Sequence, residues 1–386
     1  MTKPFLILFA TSWAIVLYTY VVYPIVLAVV AKLVRARDVH PYPLADDALP
    51  TVTMIVAAHD EADVLPAKLA NTWEIDYPAD KLTLLVGSDG SSDATEEILA
   101  AEPDPRLRSF PFAERRGKIS VLNDLVGEAN GDILVMSDAN TIYAPDAVRR
   151  LVAHFADERI GCVSGELRLD NGGGVSGEGL YWKYENWIKR NSSRLGFLIG
   201  CNGGIYAIRR SAYVKLREDT IVDDFVICLN VLRQGSRVIL DRTATATEPA
   251  CDSAADEMVR KIRIGAGGWQ AVTMTGDLLS PTKGIVAAAY WSQKVLRWAS
   301  PVFILLALIA NVALVHIPAF AALLAIQVAG IAISATAAKT MLGSSIPKAL
   351  RPITYFYLMN YALLCGLWRF LTNTQRVTWE RGTTRS

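Results

Sequence analysis

An apolar run without a single charge covers residues 5–31, which is more than the ~20 residues needed to span a bilayer. It is too long for a signal-peptide core and is followed by no small-residue cleavage pattern, so residues 1–35 read as an uncleaved membrane helix. Lys32, Arg35 and Arg37 follow at once and put this end on the cytosolic side by the positive-inside rule. Residues 36–50 then read as a polar linker. From 51 to 270 the pattern changes. Short apolar runs at 51–58, 82–88 and 133–137 predict buried strands, and the segments 62–74, 94–101 and 118–129 between them predict helices. That alternation predicts a parallel sheet with helices on both faces. Ligands of such sheets sit at the carboxyl ends of the strands, where the polar clusters of this chain fall.

Beyond 280 the apolar pattern returns. Residues 284–298 mix Tyr290, Trp291, Lys294, Arg297 and Trp298 with apolar residues, predicting a helix that lies at the membrane interface. Apolar stretches at 301–317, 319–337 and 353–371 predict three membrane helices within 300–372. Lys339, Lys348 and Arg351 put the last connecting loop on the cytosolic side, and the tail 373–386 carries Arg376, Arg381 and Arg385.

Composition agrees with a mixed protein. Of 386 residues, 52% are hydrophobic and 20% charged, and the mean hydropathy is +0.27: too apolar for an ordinary soluble enzyme, too charged for a bundle of membrane helices alone. A net charge of +1 gives no support to nucleic-acid binding. The five cysteines are scattered without a CxxC pair, so reduced thiols are expected rather than a disulfide framework or a zinc site.

Six clusters carry candidate chemistry. AAHDEAD (57–63) follows the first strand and GSDGSSD (87–93) the second; small residues there let a ligand approach the backbone, and Asp89 can accept hydrogen bonds from a base or ribose. In ERRGKISVLND (114–124), Lys118 opens a helix and suits a phosphate. VMSDANT (135–141) offers Asp138 and Asn140, hard oxygen ligands for magnesium or manganese. In TIVDDFV (220–226) one of two acids can act as general base, the ordinary alternative being that Asp223 caps the helix. In RKIRIGAGGWQ (260–270), Arg260 and Arg263 share a helical face and suit a diphosphate. The G-x-G-x-x-G of a Rossmann dehydrogenase is missing after the first strand, and the apolar stretches hold few of the polar residues a transporter needs at mid-bilayer.

In order and spacing these motifs resemble the membrane-integrated family 2 glycosyltransferases, which include cellulose, chitin, hyaluronan and poly-N-acetylglucosamine synthases. The resemblance covers about residues 50–300. It implies a cytosolic GT-A domain, α/β in class, over 50–280, a UDP-sugar donor, Mg2+ or Mn2+, inversion at the anomeric carbon, and a multi-pass location in the inner (plasma) membrane. Carried over by motif, Ala57, His59 and Glu61 would flank the base, with Asp89 toward the nucleotide and Lys118, Asp138, Arg260 and Arg263 on the sugar diphosphate. Asp138 with Asn140 would hold the metal, Asn140 standing where the family has a second acid. Asp224 would be the base. The acceptor site would draw on Trp182, Trp187, Cys201, Asn202, Gly203 and Asp223. The product would be a polysaccharide or a single sugar added to a lipid-linked acceptor, and any export partner would be a separate chain.

Overall fold

The computed structural model describes residues 2–34, 44–170, 178–249, 254–339 and 350–376. Cys251, the Gly-rich 171–174, the loop lysines at 348 and most of the tail lie outside the described residues, as does the side chain of Trp182. The chain opens with α1 (Thr2–Leu17) and α2 (Tyr23–Leu33), joined through one π-helical turn at Tyr18–Val22 into a continuous run, Thr2–Leu33.

Eight strands follow in one sheet: β1 (Val52–Ala58), β2 (Leu82–Asp89), β3 (Leu107–Phe112), β4 (Ile133–Met136), β5 (Ile142–Tyr143), β6 (Ile160–Asp170), β7 (Tyr206–Arg209) and β8 (Arg237–Pro249). Their order is β3-β2-β1-β4-β7-β6-β8-β5. The four strands β3-β2-β1-β4 are parallel; β1, β2 and β4 are those the alternating pattern predicts, and β3 is an added edge strand. The other half is mixed, which corrects the expectation of a wholly parallel sheet: β7 runs antiparallel to β4 and β6, and β5 antiparallel to β8. The cause lies in residues 197–205. They run along the sheet from Val238, beside Phe197, to the level of Ser164, so β7 must return in the opposite sense.

Both faces of the sheet are covered, which is why its central strands are nearly continuous apolar runs. Val52, Met54 and Val56 point to one core with Leu65 and Leu69 of α3 (Leu65–Trp73), Leu99 of α4 (Thr95–Ala101) and Leu151 of α6 (Ala147–Ala153). Ile55 points the other way, the period-2 alternation of a strand, onto Leu122 and Leu125 of α5 (Lys118–Glu128), Ile188 of α7 (Glu178–Arg194) and Leu229 of α8 (Asp223–Arg233). That second core continues into Tyr23, Leu27, Tyr290 and Trp298. The apolar helices and the sheet domain are thus one packed body.

The remaining helices are α9 (Ala254–Met274), α10 (Ile285–Tyr290), α11 (Leu296–Ala313), α12 (Pro318–Lys339) and α13 (Arg351–Leu371). A π-helical turn at Trp291–Val295 joins α10 and α11 into one run. Of the residues singled out in 284–298, Tyr290, Arg297 and Trp298 are buried and Trp291 is exposed. Gln293 donates to Tyr23 Oη at 2.8 Å and Ser192 Oγ at 2.7 Å, and Arg297 pairs with Glu185. Thr2–Leu33, Ile285–Ala313 and Pro318–Thr336 are the three described helices long and apolar enough to cross a membrane; α13 is not among them. It packs on α9 with backbones in close approach: a Cβ on Gly366 would lie 2.7 Å from the Ile262 carbonyl oxygen.

A buried hydrogen bond ties the end of α6 to the sheet. His154 Nε2 and Asp241 Oδ2 are 2.8 Å apart, both buried, and Asp241 Oδ1 accepts from the backbone N–H and hydroxyl of Thr243. Burial works against ionisation of Asp241, and His154 and Thr243 outweigh it, holding the carboxyl below its ordinary value. Asp241→Ala strands a buried imidazole and is expected to cost about 3 kcal/mol, measured as a fall in the thermal midpoint of the purified protein. An unchanged midpoint would refute the role.

Candidate active site

Two loops at the carboxyl ends of β1 and β2 are laced into a single shelf. His59 Nδ1 lies 2.8 Å from the Asp89 carbonyl oxygen. Asp60, at φ 53°, is held in that left-handed conformation by the Ser92 N–H, which donates to its Oδ1 at 2.7 Å. The N–H of Glu61 donates to Thr95 Oγ1 at 2.9 Å and that of Ala62 to Asp93 Oδ2 at 3.0 Å. Asp89 has a use that its motif alone does not reveal: its two carboxylate oxygens accept the N–H groups of Arg116 at 2.7 Å and Gly117 at 2.8 Å. Gly117 sits at φ 92°, a turn that glycine enters at little cost. Asp89 thereby sets the entry to α5 and aims Lys118. Arg116 lies over the Phe112 ring at 4.1 Å and pairs with Asp124 at 2.7 Å, an ordinary surface charge.

At the centre, Lys118 Nζ donates to Asp138 Oδ1 at 2.8 Å and lies 3.3 Å from Asp223 Oδ2. Burial opposes its charge, but Asp138, Asp223 and Asp224 outweigh it and hold the amine above lysine's usual range. Burial likewise works against the Asp138 carboxylate, and Lys118, Arg263 and Lys68 overcome it, keeping its carboxyl below the ordinary value. Asp223 does not cap its helix: the cap position is Val222, with no side-chain bond, and Asp223 faces Lys118 instead. Asp224 differs in kind. Burial, and then the Asp223 charge beside it, push its carboxyl up to about 6 against the pull of Lys118. Two adjacent acids in unlike environments are a way of dividing acid–base roles.

Two residues near this centre carry no motif. Lys68 is 1% exposed, and its amine donates to Ser137 Oγ and the Thr141 carbonyl, each at 2.7 Å. It braces the Asp138 turn from beneath. Burial lowers it to about 7, with Asp138 opposing. Glu248, at the end of β8, is pushed up to about 7 by burial, with Arg260 opposing and the Asp138 charge adding. Arg260 itself lies 3.8 Å from Glu257, one turn before Arg263 on α9.

The loop 200–205, the expected acceptor loop, abuts Asp224. A Cβ on Gly203 would lie 3.2 Å from Asp224 Oδ2, so glycine lets the loop backbone sit against that carboxylate. Asn202 is pinned by Lys189 Nζ at 2.5 Å and by its own donation to the Gly165 carbonyl at 2.5 Å. The Cys201 thiol points into the core, 3.5 Å from Cys162 Sγ. Only the backbone of Cys201 is therefore offered to a ligand. Trp187 is 39% exposed and lies apart from this cluster.

For a divalent cation the fit is partial but coherent. Among the described residues no group of three His, Cys, Asp or Glu side chains could hold one. Asp138 and Asn140 would supply one carboxylate and one amide oxygen, and Mg2+ is commonly bound by one or two carboxylates plus substrate phosphates.

The family description "Glycosyl transferase family 2" matches residues 53–217, which contain the shelf, Lys118, Asp138 and the acceptor loop. Residues 53–217 thus carry a similarity to the family 2 glycosyltransferases. Curated relatives include the poly-beta-1,6-N-acetyl-D-glucosamine synthase of Staphylococcus aureus strain MSSA476, 25% identical over 234 residues, 58% of this chain and 56% of that protein. The N-acetylglucosaminyltransferase of Rhizobium meliloti strain 1021 is 29% identical over 197 residues, 49% of this chain and 46% of that one. The chain therefore spans about half the length of the curated relatives it matches. Among solved structures, the mannosyltransferase PcManGT from Pyrobaculum calidifontis, in complex with GDP-Man and Mn2+, superposes with a TM-score of 0.73 at 25% identity, over 95% of this chain and 100% of that one. The fold is accordingly GT-A, and the likeness takes in the flanking helices as well as the sheet domain.

Proposed function

We propose that the chain transfers a sugar, with inversion, from a nucleoside diphosphate sugar to an acceptor hydroxyl at the membrane, with Asp224 as general base. The observation that carries this reading is the pairing at the centre of the site: a carboxyl raised to about 6 stands beside the Lys118–Asp138 ion pair. Asp224 takes the acceptor proton, and Lys118 and Arg263 face the position of the leaving diphosphate. Stabilising that charge is the larger share of catalysis. Asp138 and Asn140 are the residues that would hold Mg2+ or Mn2+, which would neutralise phosphate charge as a Lewis acid. The shelf of Ala57, His59, Glu61 and Asp89 takes the nucleoside. The names of the curated relatives favour a polysaccharide product and an N-acetylglucosamine donor; the motif resemblance points to a UDP-sugar, and the GDP-Man of the solved neighbour adds GDP-sugars to the set worth testing. Lys32 and the loop lysines support a domain on the cytosolic side of the inner membrane.

Donor hydrolysis screened over UDP- and GDP-sugars tests this directly. One nucleotide series is expected to turn over. Chelation with EDTA is expected to slow that turnover by about a hundredfold or more, because loss of a phosphate-bound cation costs several kcal/mol, and added Mn2+ or Mg2+ restores it. Turnover indifferent to chelation would exclude the metal. Failure of every donor would exclude the transferase reading.

A further inference from the structure

A cavity of about 600 Å³ opens between the sheet domain and the apolar helices. Glu185 and Lys189 of α7 line one side, Lys294 and Arg297 of the run Ile285–Ala313 another, and Phe356 and Met359 of α13 a third. Arg297 pairs with Glu185. Lys189 is held by the Asn202 amide oxygen, a neutral partner. Lys294 makes no ion pair or hydrogen bond among the described residues, and its ammonium stands 5.4 Å from the centre of the Phe225 ring. Lys261, at the rim, is paired with Glu257 at 3.0 Å. Three cations thus face one acid inside a half-apolar chamber. That excess positive charge calls for an anion, and the aromatic and aliphatic wall of α13 calls for an apolar tail on the same molecule. Burial pulls the Lys189 amine below lysine's ordinary value, with Glu185 and Asp224 opposing, so an anion there would stabilise the charged form.

The chamber leads to the base. Lys189 holds Asn202, the next residue Gly203 lies against Asp224, and a Cβ on Gly200 would lie 3.8 Å from Lys294 Nζ. We propose that this cavity binds the acceptor as an anionic lipid, its phosphate or diphosphate on Lys189, Lys294 and Arg297, its tail along α13, and its sugar hydroxyl delivered to Asp224. This deepens the transferase reading and rests on it. In the step, the head-group hydroxyl forms a new bond to the anomeric carbon and its proton goes to Asp224. The bond from that carbon to the donor diphosphate breaks, and the nucleoside diphosphate leaves with the electron pair.

The test uses the full chain in nanodiscs and a fluorescent polyisoprenyl phosphate. Donor hydrolysis is read first in the same preparation; its absence would count against the transferase reading, not against the cavity. With hydrolysis present, the lipid phosphate is expected to bind at least about tenfold more tightly than its parent alcohol, as charged hydrogen bonds in a dry site allow. Lys294→Gln is expected to remove most of that difference and Lys294→Arg to restore it, each variant being checked for donor binding as a measure of its fold. Equal binding of alcohol and phosphate, or a Lys294→Gln variant that binds like the parent, would overturn the proposal. So would inorganic phosphate binding as tightly as the lipid, or displacement of the lipid by bulk phosphatidylglycerol, since either would mean that the cations recognise any phosphate rather than an acceptor.

Discussion

Asp224→Asn is expected to lower sugar transfer by about a thousandfold or more while donor affinity stays within a few fold, the loss typical of a removed general base. The amide keeps the size of the side chain and loses the ability to take a proton. Because the Asp224 carboxyl is raised to about 6, the parent enzyme has a predictable pH profile. Below pH 6 the base is protonated and inactive, so kcat/KM rises about tenfold per pH unit up to that value and then levels. The residual activity of Asp224→Asn should show no such limb. An acid limb that persists in the variant would assign the base elsewhere.

Lys118→Gln is expected to cost about tenfold to a hundredfold in kcat/KM, since a hydrogen bond between charged groups in a half-buried site is worth about 1.5–3 kcal/mol. Its ammonium bridges Asp138 at 2.8 Å and Asp223 at 3.3 Å. Without it Asp223 and Asp224 lose a neighbouring cation and Asp138 keeps only Arg263 and Lys68, and the leaving diphosphate meets more negative charge. Lys118 also pulls the Asp224 carboxyl down, so the acid limb of the profile must move to higher pH in the variant. Calorimetric titration with donor and a pH–rate profile read the two effects separately. Loss of activity with an unmoved limb would leave Lys118 a donor contact and remove it from the tuning of the base.

Lys68 shows what a closer reading of the sequence could have found. The buried side of α3 is Leu65, Lys68, Leu69 and Thr72, positions i, i+3, i+4 and i+7 of one helical stripe. A lysine inside such a stripe is either a packing fault or a buried brace, and here it braces the Asp138 turn. Glu248 had no comparable signal. It lies near the end of β8, half-buried, and only the tertiary fold brings the charges of Arg260 and Asp138 to bear on it. The cysteines teach the same lesson. Cys162, Cys201 and Cys228 are far apart in the chain, yet they meet where β6, the acceptor loop and α8 converge.

The sequence by itself determined the apolar helices, three of the four parallel strands and the polar loops at their ends, because each depends on periodicity or composition within a short window. It also marked the acids and cations from which the site is built. The tertiary structure decided which of them meet. It alone assigned Asp89 to aiming Lys118, turned Asp223 from a cap into a partner of Lys118, reversed β7, and set Gln293 against Tyr23 and Arg297 against Glu185. All of these depend on contacts between residues distant in sequence and on burial, which moves a carboxyl or an amine by amounts that no local motif encodes.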